Sequence, residues 1–376
     1  MPFGVYVHYP FCARHCPYCD FTVTVTRDVP HEGYRDAVLA ELRARAEDFA
    51  GRPAAVSLYF GGGTPGLWPA ACVGAVIDGV AEVLGLAEGA EVTVECNPEE
   101  VALPHLVGLR AAGVNRISLG VQSFDDALLR RLGRQHDGEG ARRAVAAVVA
   151  AGFQDYSVDL MHGAAGQRVA DAVADATIAC ALGAPHVSTY QLTIELRTSF
   201  GARAVRGESL LVEDDALAEM YEAVRAALAA GGVQPYEISN AARPGHAAVH
   251  NMLYWTGGEY LGLGAGAHGY RRVGDGAVRW SNERHAGRYA RAALAGAPAE
   301  ATRETIDADT LLEERVLCGL RLDAGLPIDA ALAARFGANA RRLAADGLLT
   351  IAPDRWRATP RGRALLDRVI TALVTV

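Results

Sequence analysis

The chain has 376 residues, of which 51% are hydrophobic and 21% charged, and its formal net charge is −8. These values are ordinary for a globular protein with one large domain and a smaller one, and they exclude a broad basic surface for nucleic acid. No apolar run is long enough to span a bilayer, and residues 1–8 read as a strand rather than a signal peptide. We therefore expect a cytoplasmic protein.

The first half of the chain alternates short apolar runs with longer helical patterns. Strands are predicted at residues 4–9, 56–60, 91–95, 116–121, 156–161 and 186–192. Helices are predicted at residues 34–49, 70–84, 103–112, 125–132, 138–151 and 169–182. The repeated succession of a strand and a helix predicts a parallel sheet covered by helices.

After residue 193 the pattern changes, and we expect this part to close the open side of the sheet. Here a long helix, an edge strand and a second helix are predicted, at residues 213–230, 278–282 and 285–295. Beyond a boundary near residues 296–299, a small helical unit with a short hairpin is predicted. The predicted domains are residues 1–200, 201–298 and 299–376.

Cys12, Cys16 and Cys19 lie in one short loop, so their sulfurs can meet at one small object. Thiolates select iron–sulfur clusters, zinc or copper(I), and a 4Fe-4S cluster held by three of them keeps one iron open. The alternative is a closed zinc site with His15 as fourth ligand, although a residue between two cysteines is poorly placed to share one tetrahedral metal. A disulfide framework fits poorly because the cysteines are sparse and odd in number, seven in all.

The spacing Cys-x3-Cys-x2-Cys followed by Phe21 resembles the cluster motif of the radical S-adenosylmethionine (SAM) superfamily. Residues 6–12, Tyr-Val-His-Tyr-Pro-Phe-Cys, resemble its coproporphyrinogen-oxidase-like branch. The resemblance implies a partial (β/α)6 barrel of the TIM type, a small winged-helix-like α+β domain at the C-terminus, and SAM bound to the open iron of the cluster. Dehydrogenases of this branch usually carry one more cysteine where this chain has Phe21, which favours the heme-chaperone members or the related methyltransferases.

A glycine run comes directly after the second predicted strand and ends in Gly62, Gly63 and Thr64. Glycines let the backbone pass close to a ligand, although such a run alone predicts no more than a tight turn. In the superfamily that this chain resembles, the matching loop binds the amino group of SAM. We therefore expect these three residues to contact SAM.

Four polar side chains in or after the later strand–helix units match positions that touch SAM in relatives: Glu95, Gln122, Arg134 and Asp159. Each taken singly is an ordinary polar residue, and Glu95 taken alone could be a solvated loop acid. In relatives, a guanidinium binds the carboxylate of SAM, while an amide and acids bind its sugar and polar edges. Tyr6 matches a tyrosine near the cluster and SAM and is expected to contact SAM, with a buried strand aromatic as the alternative. Thr193 is expected near the adenine.

The segment His250-Asn-Met-Leu-Tyr254-Trp255 sets an imidazole beside two aromatic residues. Imidazole suits heme iron, and a tetrapyrrole needs a large apolar wall. A lone histidine of this kind is more often a satisfied core residue. Within the family resemblance, however, the segment matches a pattern linked to heme binding, which makes His250 the expected heme ligand.

We expect a heme chaperone that binds a 4Fe-4S cluster, SAM and heme and transfers heme to an acceptor protein. The alternatives are an oxygen-independent coproporphyrinogen dehydrogenase and a class C radical SAM methyltransferase. No nucleic-acid partner is expected. A homodimer and a transient association with a membrane surface are both compatible with the sequence.

Overall fold

In the computed structural model, which describes residues 2–375, a largely parallel sheet forms the centre of the protein. The first eight strands are β1 (Phe3–Tyr9), β2 (Phe11–Cys12), β3 (Thr24–Val25), β4 (Ala55–Gly62), β5 (Leu86–Cys96), β6 (Arg116–Gln122), β7 (Asp155–His162) and β8 (His186–Gln191). Strands β1, β4, β5, β6, β7 and β8 lie side by side in this order and are all parallel. The six predicted strands of the partial (β/α)6 barrel are thus confirmed.

Helices cross from each strand to the next and cover the sheet. They are α1 (His31–Arg45), α2 (Ala70–Val83), α3 (Leu103–Ala111), α4 (Asp126–Arg131), α5 (Gly138–Ala150) and α6 (Val169–Ala181), with 3-10 turns at Ala46–Phe49, Pro65–Leu67 and Pro98–Glu100. Side-chain caps fix two of the helix starts: Asp125 accepts from the Leu128 N–H and Asp137 from the Gly140 N–H, both at 2.7 Å. The strands are buried on both faces, as expected for a parallel sheet between helices.

The next part of the chain lengthens this sheet at both edges. It comprises α7 (Ser199–Val205), α8 (Asp214–Ala230), β9 (Gln234–Pro235), β10 (Asn240–Ala242), α9 (Val249–Trp255), β11 (Glu259–Leu263), β12 (His268–Val273), β13 (Gly276–Asn282), α10 (Ala286–Leu294) and β14 (Glu300–Ile306). Strands β10 and β9 continue beyond β8, and β11 to β14 continue beyond β1, with β11 parallel to β1.

In the described part of the chain β14 and β9 are the two edges of the sheet, and closure of its open side by this part stays a prediction. One expectation for this part was wrong. Strand β13 is not an edge strand, because β14 pairs with it over most of its length. The sheet therefore continues to Ile306, eight residues past the domain boundary predicted at residue 298. The division into three domains stays a prediction.

The remainder forms a small α+β unit with its own core. It contains α11 (Ala308–Gly319), β15 (Leu326–Pro327), α12 (Ala330–Ala345), β16 (Leu349–Ala352), β17 (Arg355–Ala358), α13 (Pro360–Ala364) and α14 (Leu366–Val374). The three strands form one antiparallel sheet, and Phe336, Leu343, Trp356 and Val369 are buried in the core beside it. Among residues 2–375, no helix is both long and apolar enough to cross a membrane.

Candidate functional site

A cavity of about 610 Å³ opens at the carboxyl ends of the parallel strands, the end where barrels of this type carry their active sites. Every predicted cluster and SAM residue except Tyr6 lines it: Cys12, Cys16, Cys19, Gly62, Gly63, Thr64, Glu95, Gln122, Arg134, Asp159 and Thr193. These residues come from the cysteine loop, from the ends of five strands and, for Arg134, from the loop after α4. Their convergence follows from parallel pairing, which brings the carboxyl ends of all strands to one edge.

The three cysteines of the loop are free thiols, with Cys12 buried and Cys16 and Cys19 partly exposed. Burial raises the pKa of the Cys12 thiol to about 11 and also raises that of Cys19. His15 is not placed as the fourth ligand of the alternative zinc site, because its Nε2 bonds the Cys19 carbonyl at 3.0 Å. Three thiols facing one cavity fit a cluster, whose thiolates bind different irons.

A fourth cysteine, Cys96, also touches the cavity wall. It is only 4% exposed, and its sulfur packs against Gly66 at the back of the wall. Its burial raises the pKa of its thiol far above the ordinary value. This is the position of a packing residue.

The glycine loop is held against the strand that enters the cysteine loop. Gly62 adopts a φ of 115°, which favours glycine, and a Cβ on Gly63 would lie 2.7 Å from the Phe11 carbonyl oxygen. The N–H groups are all used internally: Gly62 donates to Glu95, Gly63 to the Tyr9 carbonyl and Thr64 to the Phe11 carbonyl. A ligand at this loop would therefore meet carbonyl oxygens, which suit a positively charged amino group.

Arg134 connects the cysteine loop to two strand ends. Its Nη1 lies 3.6 Å from the Cys16 Sγ, while its Nη2 donates to Asn97 Oδ1 at 2.6 Å and to the Gly120 carbonyl at 3.0 Å. Asn97 in turn donates to Thr64 Oγ1, and Thr64 donates to the Cys12 Sγ at 3.4 Å. The Arg134 Nε is buried and has no hydrogen-bond partner among the described residues, and the Nη2 also lies 3.8 Å from a carboxylate oxygen of Glu99.

Glu95 and Asp159 are two carboxyl groups on the inner wall. Glu95 accepts from the Tyr59 hydroxyl at 2.8 Å and the Gly62 N–H at 3.0 Å, whereas Asp159 accepts from Ser118 and Ser157, both at 2.7 Å. Burial raises the pKa of Glu95 to about 7 and also raises the pKa of Asp159, and the charges repel each other. Glu95 is thus close to half-protonated at neutral pH.

This shift predicts a pH dependence of stability that Glu95→Gln should remove. The folded pKa lies above the unfolded value of 4.5, so Glu95 stabilises the fold at low pH and this stabilisation is lost as the pH rises through about 7. Between pH 5.5 and 8, the free energy of unfolding should fall by about 2 kcal/mol more in the wild type than in the variant. Anaerobic denaturant titrations of both proteins would measure it, and equal slopes would contradict the raised pKa.

Gln122 and Thr193 line the cavity from the ends of β6 and β8. Gln122 ends β6 with a φ of 67°, the one non-glycine residue with a positive φ in the described chain. Such strain is concentrated at functional sites. Thr193 is exposed and follows β8.

Several other residues line the cavity that sequence reasoning did not assign to the site. Asn97, Tyr59, Ser118 and Tyr190 also line the wall. Asn97 directly follows β5, the strand that carries Glu95. This position was the one sequence signal that could have placed Asn97 in the cavity. Tyr59 faces the barrel interior within an apolar strand, where its role as a donor to Glu95 was not visible.

Tyr6 does not line the cavity at the carboxyl ends of the strands, which is called the cluster cavity because the three cysteines line it. It faces a second cavity of about 200 Å³ inside the barrel, and its hydroxyl bonds His8 Nδ1 at 2.9 Å. Its ring stacks with that of Tyr59 at 6.1 Å between centroids. In this structure Tyr6 is therefore a strand aromatic behind the site, the alternative considered from the sequence, and its contact with SAM stays a prediction.

His250 lies near the amino ends of the strands, on the opposite side from the cysteine loop. It is 2% exposed, and both ring nitrogens are engaged: Nδ1 with Ser57 Oγ at 2.8 Å and Nε2 with the Tyr254 hydroxyl at 2.9 Å. Burial lowers the pKa of His250 to about 3, so the ring is neutral at neutral pH. Ligation of heme iron by His250 stays a prediction, and it requires one of these hydrogen bonds to break.

The helix that carries His250 is fixed to the barrel by Glu91. The two carboxylate oxygens of Glu91 accept from the N–H groups of Val249 and His250, both at 2.9 Å. This arrangement supplies partners for the first N–H groups of α9, which has no side-chain cap of its own. Trp255, at the other end of α9, lines a further cavity against the C-terminal unit.

Comparisons with known proteins show the family of this chain. The model of the Radical SAM superfamily matches residues 6–176, and that of the HemN C-terminal domain matches residues 306–365. The heme chaperone HemW of Mycobacterium tuberculosis (strain H37Rv) is 40% identical over 381 residues, covering 99% of this chain and 95% of that protein. HemW of Escherichia coli (strain K12) is 41% identical over 286 residues, covering 76% and 74%.

The solved structure of coproporphyrinogen III oxidase (HemN) from Escherichia coli, a radical SAM enzyme, superposes with a TM-score of 0.82 at 25% identity and covers 100% of this chain and 90% of that one. This chain therefore has the same fold as HemN, with the domains in the same order. The identity to the HemW proteins is higher, at 40% over 99% of the chain and 41% over 76% of it. The chain belongs to the radical SAM superfamily and, within its coproporphyrinogen-III-oxidase-like family, to the HemW branch.

Proposed function

We propose that this protein is a heme chaperone of the HemW type, which binds heme and passes it to an acceptor protein while holding a 4Fe-4S cluster and SAM. The observation that carries the proposal is the 40% identity to a HemW protein over 99% of the chain. It is supported by the cavity in which three free thiols face the predicted SAM residues.

Cys12, Cys16 and Cys19 would hold the cluster, and their donor chemistry fits it. When bound and reduced, such a cluster supplies an electron to SAM. The residues of the chain would bind and orient SAM: the carbonyl oxygens of the glycine loop take its amino group, and Arg134 takes its carboxylate. Glu95 and Asp159 would accept hydrogen bonds from its sugar.

An oxygen-independent coproporphyrinogen oxidase is the second candidate, and the likeness to HemN favours it. Phe21 argues for the chaperone, since it stands where the dehydrogenases usually carry a further cysteine. Phe21 lines the cavity and is 67% exposed, so the position faces the site and a cysteine there would be available to it. The chaperone proposal therefore rests on a residue in the site as well as on overall identity.

A paired assay on anaerobically reconstituted protein tests the proposal. Heme is titrated and followed by absorbance, and reductant, SAM and coproporphyrinogen III are then added to look for 5′-deoxyadenosine and decarboxylated porphyrinogen. Stoichiometric heme binding without decarboxylation supports the chaperone. Decarboxylation coupled to SAM cleavage, without heme binding, would replace it by the oxidase.

We expect His250→Ala to weaken heme binding and to leave the cluster intact. The change also removes a buried ring and leaves the Ser57 hydroxyl without its partner, which should cost about 2 kcal/mol of stability. Heme affinity, iron content and the free energy of unfolding are the measurements. Unchanged heme affinity would overturn His250 as the ligand.

Tyr254→Phe is the matched control for this variant. It removes only the hydroxyl that holds the His250 Nε2. A ligating imidazole would then be released, so heme affinity should be kept or increased. Equal weakening in both variants would instead indicate that the His250–Tyr254 pair has a structural role.

A further inference from the structure

We infer that heme is bound in a third cavity, between helix α9 and the C-terminal unit, and that Arg272 and Arg355 bind its two propionates. The inference rests on the proposed heme-binding function and assigns that function a place. The cavity has a volume of about 560 Å³ and is walled by α9, strands β11 to β13, helix α11 and the small sheet that includes β17. It is separate from the cluster cavity at the carboxyl ends of the strands.

Size favours this cavity over the one that His250 faces. Sites for ligands of this size occupy about 300–1,000 Å³, and a tetrapyrrole does not fit in the interior cavity of about 200 Å³. The cluster cavity is large enough, but it is lined by the residues expected to hold the cluster and SAM. The third cavity has the required volume with no competing ligand assigned to it.

The walls suit a flat apolar ring. Tyr254, Trp255, Tyr260 and Tyr270 line one side, with the Tyr254 and Tyr260 ring centroids 4.8 Å apart and those of Tyr260 and Tyr270 5.8 Å apart. The other side is lined by leucines of the C-terminal unit, Leu311, Leu317, Leu322 and Leu326. Burying a large apolar face against aromatic and aliphatic side chains is the main source of affinity for such a ligand.

The charged groups of the cavity suit the two carboxylates of heme. Four arginines line it, and two are already paired: Arg279 with Glu314, and Arg315 with Asp329 at 2.8 Å. Arg272 donates to the Gly276 carbonyl at 3.2 Å and Arg355 to the Ala324 carbonyl at 3.0 Å. Neither of these two forms an ion pair with any residue in the described chain, so both guanidinium groups are available for carboxylates.

Tyr254 connects this assignment with the His250 motif. Its side chain lines both the interior cavity and the third cavity, and its hydroxyl holds the His250 Nε2. Tyr254 therefore stands between the imidazole and the space proposed for heme. Rotation of this one side chain would let the Nε2 face the third cavity, so the motif and the cavity form one site.

The test compares heme with heme dimethyl ester, in which both propionates are neutral. Wild-type protein should bind heme about tenfold or more tightly than the ester. The double variant Arg272→Gln/Arg355→Gln should lose most of this preference and should bind heme about as weakly as the wild type binds the ester. Iron content and thermal unfolding of each protein confirm that the barrel and the cluster are intact.

Arg357→Gln is the matched control, because Arg357 lies two positions further along β17 and also donates to the Ala324 carbonyl but does not line the cavity. It should bind heme and ester as the wild type does. Heme binding that shows no preference over the ester, or a double variant that keeps the full preference, would overturn the cavity while the proposed function stands. Failure of the wild type to bind heme at all would overturn both.

Discussion

Replacement of Cys16 by alanine is expected to abolish the iron–sulfur cluster. Reconstituted protein should fall from about four irons per chain to below one and lose its broad visible absorbance, because two remaining thiolates cannot hold a 4Fe-4S cluster. The polypeptide itself should stay folded, since the loop is held from outside: the Phe200 N–H donates to the Pro17 carbonyl at 2.8 Å, and Pro17 packs on Gly133. The loss should therefore be specific to the cluster.

Cys180→Ala is the control for this change. Cys180 lies in α6, outside the cavity lining, and its sulfur packs against Gly231. The control should keep its iron and its absorbance after the same anaerobic reconstitution. Retention of about four irons per chain in Cys16→Ala would show that the three-cysteine assignment is wrong.

Replacement of Arg134 by glutamine should weaken SAM binding about a hundredfold. The side chain is only 6% exposed, and it holds Asn97 and the Gly120 carbonyl in place beside the cysteine loop. Removing the guanidinium deletes the donor expected for the carboxylate of SAM and breaks a buried hydrogen-bond network. A loss of about 3 kcal/mol corresponds to this change in dissociation constant.

The measurement is equilibrium binding of SAM to the cluster-loaded protein under anaerobic conditions. Arg130→Gln is the matched control, because Arg130 is exposed on α4, four residues earlier in the chain, and does not line the cavity. If the Arg134 variant retains its cluster and binds SAM with wild-type affinity, the guanidinium does not bind the carboxylate. Loss of the cluster together with SAM would show that its main task is to hold the Cys16 loop.

Periodicity predicts the barrel well because its parallel strands are buried on both faces and read as short continuous apolar runs. Strand β14 was not predicted, because it lacks this apolar pattern. The sequence of Glu300–Ile306 is almost entirely polar and exposed, so no apolar alternation marks it, and it is a strand because β13 offers it a partner. The short helix α7 was likewise missed, since its seven residues are too few to show a period.

The main chemical groups of the cluster cavity could also be predicted from the sequence. Three cysteines in one loop, a glycine run after a strand and polar residues after later strands are local patterns, and parallel strands must bring such ends together. The roles of Asn97 and Tyr59 could not be predicted in the same way. Their importance lies in the partners they reach, Arg134 and Thr64 for Asn97 and Glu95 for Tyr59, and those partners are distant in the chain.

The sequence by itself determined the order of the barrel strands and helices, the three-cysteine loop and the family resemblance, because each depends on local spacing. Only the tertiary structure decided on which side of the barrel each motif lies. Tyr6 and His250 sit in motifs that point to cofactors, yet packing turns both away from the cluster cavity and satisfies the imidazole with Ser57 and Tyr254. Orientation of this kind depends on contacts between residues far apart in the chain, such as Glu91 with the start of α9, and no local pattern encodes them.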